Sequence, residues 1–379
     1  MKPSSAIARC RIRPRCALAR PRSIPRNPSI SYPSRSSRIS YRANIDDALV
    51  NISGITQTNT LAGTQDAVIR RGFGDNRDGS IMRNGMSLVQ GRSLNPAVES
   101  VEVLKGPASL LYGIMDPGGI VNTISKRPEL YQHGSVTLLG STYGGGKSGA
   151  DGTFDITGPI GKDGLAYRFI AYGVNEEYWR NFGRHRETLI APSLAWYGEN
   201  TTIQLNYEHR DFLSPFDRGT ALDSRTNKPL AIPATRRLDE PYNNMWGTSD
   251  LMQASVEHRL NNDWKLYAAC NDNTESFSAN QLRITAVNPV TGIVTRGNDG
   301  NRGSLSNVSY GTSYLQGGFR LGGMRRTTAR GTNSGLMPSP AGWFRRRSTR
   351  TNQSASGSLP ACWTFTAAAY LAGRASCCS

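Results

Sequence analysis

The feature that most restricts the fold of this chain is a series of segments in which apolar and polar residues alternate strictly. The clearest of them lie at 203–210, 252–260 and 264–270. Successive side chains of a β-strand point to opposite faces, so this alternation predicts strands with one apolar and one polar face. Weaker segments of the same kind lie at 154–156, 165–174 and 189–197.

The connections between these segments alternate between short and long. Short turns lie at 158–164, 198–200 and 261–263, and long polar connections lie at 175–187, 211–249 and 276–307. A connection as long as 211–249 is unusual inside a compact soluble domain. Short turns at one end and long loops at the other are typical of an outer-membrane β-barrel. A soluble meander or sandwich is the alternative, because alternation alone does not exclude it.

Aromatic residues near the strand ends favour the barrel over the sandwich: Tyr167, Tyr172, Trp179, Trp196, Tyr197, Tyr207, Trp264 and Tyr267. Eight strands are expected, at 136–142, 152–157, 165–174, 188–197, 201–210, 250–260, 264–275 and 308–320. The interior of a closed eight-stranded barrel is just filled by its own side chains. If the module that precedes these strands lay inside them, eight strands would be too few to enclose it, and that arrangement would imply an incomplete transmembrane barrel.

The region 43–130 has the pattern of a small α+β domain punctuated by glycine. The segment 45–50 suits a short amphipathic helix that ends before Gly54, and strands are expected at 67–70, 98–104 and 120–125. Asn84-Gly85, between two apolar segments, is a strong signal for a tight hairpin turn. The fold class expected for the chain is therefore an α+β domain followed by antiparallel strands.

Charge is distributed very unevenly along the chain. The formal charge of +17 comes from 45 Lys and Arg residues against 28 Asp and Glu residues. Residues 1–42 and 321–379 hold the whole excess and contain no carboxylate. The amino-acid composition of these ends is typical of G+C-rich coding DNA translated in the wrong reading frame. We therefore expect two basic, disordered tails that do not belong to the native frame. Basic arms that bind nucleic acid are the weaker alternative, and the body at 43–320 gives no reason to expect a nucleic-acid partner.

Cysteine and histidine do not form a recognisable metal or disulfide pattern. Cys270 is the one cysteine outside the two tails. The histidines have no metal-ligand spacing, and those at 209 and 258 fall on apolar strand faces. No secretory signal peptide or membrane-spanning helix is visible. A Gly-Lys-Ser at 146–148 lacks the glycine that a phosphate-binding loop requires at 141, and no nucleophile elbow is present, so we expect no enzyme.

Several motifs of the N-terminal region occur together, in a fixed order. They are Arg71-Gly72-Phe73, Asn84-Gly85, the run 101–113 that contains Lys105, Gly106, Pro107, Tyr112 and Gly113, the run Pro117-Gly118-Gly119, and the segment 125–128. In this order and spacing they resemble the plug of TonB-dependent ferric-siderophore receptors. The resemblance covers about residues 43–319.

The resemblance implies a fold, a function and a set of contacts. Family members are 22-stranded outer-membrane barrels filled by an N-terminal plug, and an inner-membrane TonB complex pulls the plug so that a ferric siderophore passes. The implied siderophore contacts lie in three plug loops, at 57–65, 75–80 and 90–95. The candidate contact residues are Arg77, Asp78, Ser80, Gln90, Arg92 and Ser93. The siderophore itself would hold the iron, so no protein cofactor is expected.

The sequence also departs from that family. Residues 1–42 show no TonB recognition box, and too few strands are expected for the family barrel. We therefore expect four segments: a tail at 1–42, a plug at 43–130, the first part of the barrel at 131–320, and a tail at 321–379. The expected function is an outer-membrane receptor for ferric siderophores in a truncated form that does not transport. The alternatives are a plug-like module that only binds and a non-functional pseudogene product.

Overall fold

The computed structural model describes residues 29–33, 44–49, 51–74, 80–89, 91–106, 117–321 and 324–335. Among these residues there is one short helix, α1, which covers Ile45–Leu49, as expected from the sequence. In the N-terminal part the strands are β1 Ser29–Pro33, β2 Ile55–Gln57, β3 Val68–Arg70, β4 Ile81–Arg83, β5 Met86–Ser87, β6 Val98–Lys105 and β7 Gly119–Ser125. Within the described residues, no helix combines the length and the hydropathy needed to cross a membrane.

The N-terminal module consists of the described residues between 29 and 130 and is built on a five-stranded mixed sheet in the order β1-β6-β7-β4-β5. Only β4 and β7 pair in parallel, and β2 and β3 form a separate hairpin. Helix α1 packs on this sheet through a buried aliphatic core: Ile45, Leu49, Ile52, Ile55, Val68, Ile81, Val98, Val101, Val103 and Val121. The predicted α+β module is confirmed.

The Asn84-Gly85 turn connects β4 to β5 as predicted. Both residues have positive φ, 53° at Asn84 and 80° at Gly85, which is the geometry of a type I′ turn. The Asn84 side chain also donates hydrogen bonds outside the turn, described below. The turn therefore has a second role that its sequence signature does not reveal.

A second, nine-stranded antiparallel sheet follows the module. Its strands are β8 His133–Gly144, β9 Lys147–Ile160, β10 Leu165–Glu177, β11 Arg184–Tyr197, β12 Thr201–Pro215, β13 Asn244–Arg259, β14 Trp264–Ala279, β17 Asn301–Leu321 and β18 Met324–Gly335. Along the sheet each strand pairs with its neighbours in this order, and β8 and β18 form the two edges. The eight predicted strands are confirmed, and β18 is additional.

The two faces of this sheet differ as the alternation predicts. On β12, Leu205 is 45% exposed, whereas Glu208 on the opposite face is 7% exposed. Met252 and Gln253 of β13 repeat the contrast, at 60% and 2%. The polar face is buried against the N-terminal module, and the apolar face is open. A sheet with an exposed apolar face is suited to a lipid environment.

The long connections are more ordered than the sequence suggests. We expected an irregular loop at 276–307, but it contains a hairpin of β15 Leu282–Asn288 and β16 Ile293–Asn298. The neighbouring strands also extend beyond their predicted ends: β13 begins at Asn244 and β17 at Asn301. Ser, Thr, Asn and Gly dominate these extensions, so hydrophobic periodicity is absent while backbone pairing continues.

Two strands fall inside the predicted tails. Strand β1 pairs with β6, and β18 pairs with β17 from Leu321↔Met324 to Tyr310↔Gly335. Most other residues of the predicted tails lie outside the described residues. The domain limits at 42, 130 and 320 and the out-of-frame origin of the tails remain predictions.

Candidate functional site at the interface between module and sheet

The first contact across this interface is a buried ion pair. Nη2 of Arg83 on β4 lies 3.3 Å from Oε2 of Glu208 on β12, and the two side chains are 2% and 9% exposed. Arg83 also donates to the carbonyl of Ser93, and Asn95 donates to the same Glu208 oxygen. Burial lowers the pKa of Arg83, and the Glu208 carboxylate opposes this shift. Removing either charge would leave the other buried and unpaired.

Arg210, two residues along β12, makes the second contact. Its Nη1 atom donates to the backbone carbonyl of Arg92 at 3.0 Å, and its Nη2 atom lies 3.3 Å from Oε2 of Glu275 on β14. Glu187 on β11 lies 3.9 Å from Nη1 of Arg210. The guanidinium thus joins a module loop to three strands of the sheet.

Amide side chains extend the interface along β13 and β14. Asn84 Nδ2 donates to Oε1 of Gln253 at 2.7 Å, and Gln253 Nε2 donates to the carbonyl of Arg83. Asn271 donates to the carbonyl of Ser87, and the amide of Val89 donates to Oδ1 of Asn273. The β4–β5 hairpin is therefore held on the sheet by these hydrogen bonds, together with the apolar contact of Met86 with Ala269 and Tyr310.

Asp66 organises the loop that carries Arg92 and Ser93. Its Oδ1 atom accepts from Nη1 of Arg92 at 3.0 Å, and its Oδ2 atom accepts from the amide and the hydroxyl of Ser93. The two other guanidinium nitrogens of Arg92 donate to the carbonyl of Gly63. Asp66 is 1% exposed, so this carboxylate fixes both neighbours from within the module.

A third charged cluster lies where the chain passes from the module into the sheet. Lys126 lies 2.9 Å from Oδ2 of Asp155 on β9, and Arg168 on β10 binds both oxygens of that carboxylate at 2.8 Å. Arg168 also donates to the carbonyl of Arg127. The segment 126–127 is thereby fixed to the first strands of the sheet.

At the opposite end, where the connections are long, the outer loops fold onto one another. Asp217 accepts from the Tyr178 hydroxyl at 2.9 Å and from Nη1 of Arg180 at 3.1 Å. Arg237 lies over the rings of Tyr178 and Phe182. Burial, with Asp217 beside it, raises the pKa of Tyr178 to about 12.

The predicted siderophore contacts occupy different environments. Ser80 is fully buried, Ser93 is 7% exposed, and Arg92 is engaged by Gly63 and Asp66. Arg77, Asp78 and Gln90 lie outside the described residues. The structure brings Arg92 and Ser93 together on Asp66, and the ligand role of all six remains a prediction.

The motif residues of the module hold its backbone together. Gly118 and Gly119 lie where strands approach closely: a Cβ added at Gly119 would meet the carbonyl oxygen of Leu104 at 2.0 Å. Lys105 donates to the carbonyl of Ser53 at 2.6 Å. Arg71 and Gly72, both with positive φ, form the turn before Phe73. Pro117 adjoins the close approach, while Pro107, Tyr112 and Gly113 lie outside the described residues.

Sequence reasoning missed the interface residues Arg83, Glu208, Arg210 and Glu275. A signal was present, because two of them fall on the polar face of the alternating segment 203–210. Charged side chains on one face of a strand indicate a polar environment there. The partner of each could not be read from the strand itself.

Comparison with known proteins agrees with this architecture. The TonB-dependent Receptor Plug Domain matches residues 34–120. The metal-pseudopaline receptor CntO of Pseudomonas aeruginosa is 31% identical over 175 residues, which cover 45% of this chain and 24% of that protein. The ferrioxamine B receptor of Salmonella typhimurium is 29% identical over 157 residues, 38% of this chain and 22% of that protein.

Residues 34–120 of this chain match a TonB-dependent receptor plug domain.

Solved structures of TonB-dependent receptors share its fold. The ferripyoverdine receptor of the Pseudomonas aeruginosa outer membrane superposes with a TM-score of 0.70 at 17% identity, over 83% of this chain and 43% of that one. The ferric-catecholate import receptor Fiu of E. coli gives a TM-score of 0.68 at 20% identity, over 81% and 48%. The N-terminal module is thus the plug, the nine-stranded sheet is part of the barrel, and the chain is an outer-membrane protein. It spans about a quarter of the length of the curated relatives it matches.

Proposed function

We propose that this chain is a truncated form of a receptor for the uptake of ferric siderophores across the outer membrane, a process that TonB drives in the intact receptor. The observation that carries the proposal is the plug held on the polar face of the barrel sheet by buried ion pairs, of which Arg83–Glu208 is the central one. In an intact receptor, a folded module bound through polar contacts would close a passage and could still be displaced from it. The names of the relatives point to the same cargo, since they include receptors for ferrioxamine and ferrichrome.

The iron would remain inside its chelator, so the chain would need no resident cofactor and would perform no enzymatic step. We propose that the chelate lies at the long-loop end of the plug, where Arg92 and Ser93 are held by Asp66, with Arg77, Asp78, Ser80 and Gln90 completing the contacts. Arginine suits chelate oxygens because its donors form charge-assisted hydrogen bonds.

We also propose that this chain binds without transporting. The described sheet has separate edges at β8 and β18, so it covers one side of the plug and does not surround it. A non-functional product is the alternative, and it differs from a binding-only product in one measurable property, the affinity for a ferric chelate.

Fluorescence quenching of the full chain in detergent tests binding. Ferrioxamine B, ferrichrome, ferripyoverdine and ferric citrate would be titrated, with the iron-free chelators as controls. Saturable quenching by at least one ferric form supports the proposal, and no quenching by any of them contradicts it. Uptake of radioactive iron by cells that lack other receptors then separates a transporting chain from a chain that only binds.

A further inference from the structure

Three consecutive residues of the plug have left-handed backbone conformations. The φ angles are 45° at Leu61, 59° at Ala62 and 82° at Gly63. Glycine adopts such angles without steric cost. Leucine and alanine avoid them, because their Cβ atoms approach the following carbonyl oxygen. The 60–65 turn therefore contains two strained residues side by side.

Hydrogen bonds on the plug side maintain this turn. The amides of Thr64 and Gln65 both donate to the carbonyl of Thr60 at 3.1 Å. Arg92 donates to the carbonyl of Gly63 through Nε at 3.1 Å and Nη2 at 2.7 Å. Without the guanidinium, the Gly63 carbonyl would lose both of these donors.

Contacts on the loop side hold the turn in place. The side chains of Leu61 and Ala62 pack against a buried cluster of Phe216, Met245 and Ala279. The amide of Asp217 faces the carbonyl of Ala62 at 3.4 Å. These contacts join the plug to the outer loops, since Asp217 also binds Tyr178 and Arg180.

The same arginine also connects the turn to the barrel. The backbone carbonyl of Arg92 accepts a hydrogen bond from Arg210, which pairs with Glu275. A shift of Arg92 would therefore reach both the outer loops and the Arg210–Glu275 ion pair of the sheet.

We propose that the 60–65 turn is a strained switch that an anionic chelate opens by competing for Arg92. This inference rests on the proposed function. A carboxylate or hydroxamate oxygen of the chelate takes the guanidinium donors from the Gly63 carbonyl. Leu61 and Ala62 then relax to negative φ and leave Phe216, which separates the plug from the outer loops.

Hydrogen exchange of the full chain in detergent measures the strain without any ligand. The reporters are the amides of Thr64, Gln65 and Asp217. A62G removes the steric penalty, so protection of these amides rises about fivefold. The matched control is A234G, at an exposed loop alanine without positive φ, which leaves them unchanged. Unchanged or lower protection in A62G overturns the switch.

A second variant tests the role of Arg92. R92Q removes most donors to the Gly63 carbonyl, so protection of Thr64 and Gln65 falls at least threefold. The amide of Val121, which donates to Ser80 within the plug sheet, is the internal control and keeps its protection. Full protection at Thr64 and Gln65 in R92Q contradicts the proposal.

Ferric citrate, an anionic chelate, supplies the ligand measurement. If it quenches fluorescence, the proposal requires the three amides to lose protection at least threefold in the bound chain. Quenching with unchanged protection overturns the switch and leaves the proposed function standing. Absence of quenching by ferric citrate contradicts opening by an anionic chelate, whereas absence of quenching by all four ferric chelates contradicts the proposed function.

Discussion

Arg83 of the plug and Glu208 of strand β12 form an ion pair of 3.3 Å although 125 residues separate them in the chain. Both side chains are almost completely buried, and Nε and Nη1 of Arg83 have no hydrogen-bond partner among the described residues. Glu208 is therefore the main compensation for a desolvated guanidinium. Its loss has consequences for both the plug and the sheet.

Replacement of Glu208 by glutamine tests this compensation. E208Q leaves the Arg83 charge buried and is expected to cost about 3–5 kcal/mol of unfolding free energy. Equilibrium urea unfolding in detergent measures the change. The matched control is E257Q, which breaks the exposed pair Lys265–Glu257 and should cost less than about 1 kcal/mol. Equal effects of the two variants would contradict a structural role for Glu208.

Asp155 is expected to fix the segment 126–130, where the chain leaves the plug and enters the sheet. D155N removes the charge that Lys126 and Arg168 share, so we expect a loss of about 3 kcal/mol in unfolding free energy. Early protease cleavage near 126–130 should accompany this loss. The exposed Asp163, in the turn after β9, provides the control variant D163N. If D155N had the same cleavage pattern as the unsubstituted chain, the segment 126–130 would be held by other contacts.

The outer loops should weaken at high pH because of Tyr178. Its folded pKa of about 12 lies above the usual value of about 10. The stabilising contribution is therefore complete below pH about 10 and is lost as the pH rises towards 12. An ultraviolet difference titration between the unsubstituted chain and Y178F isolates this tyrosine. A transition centred near pH 10 in that difference would contradict the buried contact with Asp217.

Gly119 is expected to tolerate no side chain. G119A would place a Cβ 2.0 Å from the carbonyl oxygen of Leu104, at a φ of 119° that alanine avoids. We expect loss of the β6–β7 pairing and a protease-sensitive plug. Gly140 on β8 has nothing within 4 Å of an added Cβ, so G140A is the control and should keep the plug resistant. The measurement is the digestion rate of the N-terminal module.

Much of the architecture could be predicted from the sequence because its signals are local. The alternation of apolar and polar residues predicted the strands and their two faces, and Asn84-Gly85 predicted the β4–β5 hairpin. The contact of Leu61 with Phe216 and the pairing of Arg83 with Glu208 depend on residues far apart in the chain. No periodicity encodes such pairs. The hairpin β15–β16 was missed for a different reason, since its two strands are short and lie inside a long polar connection.

The order of strands in the barrel sheet has a consequence for how the molecule assembles. Apart from the hairpin β15–β16, each strand pairs with the next one along the chain, so the sheet can form by successive local additions. Contacts between plug and sheet join distant residues, as where Gln253 binds the carbonyl of Arg83 across 170 positions. Closing such long loops costs entropy before any contact forms. Docking of the plug is therefore expected to be the slow, late step of folding, and it follows growth of the sheet.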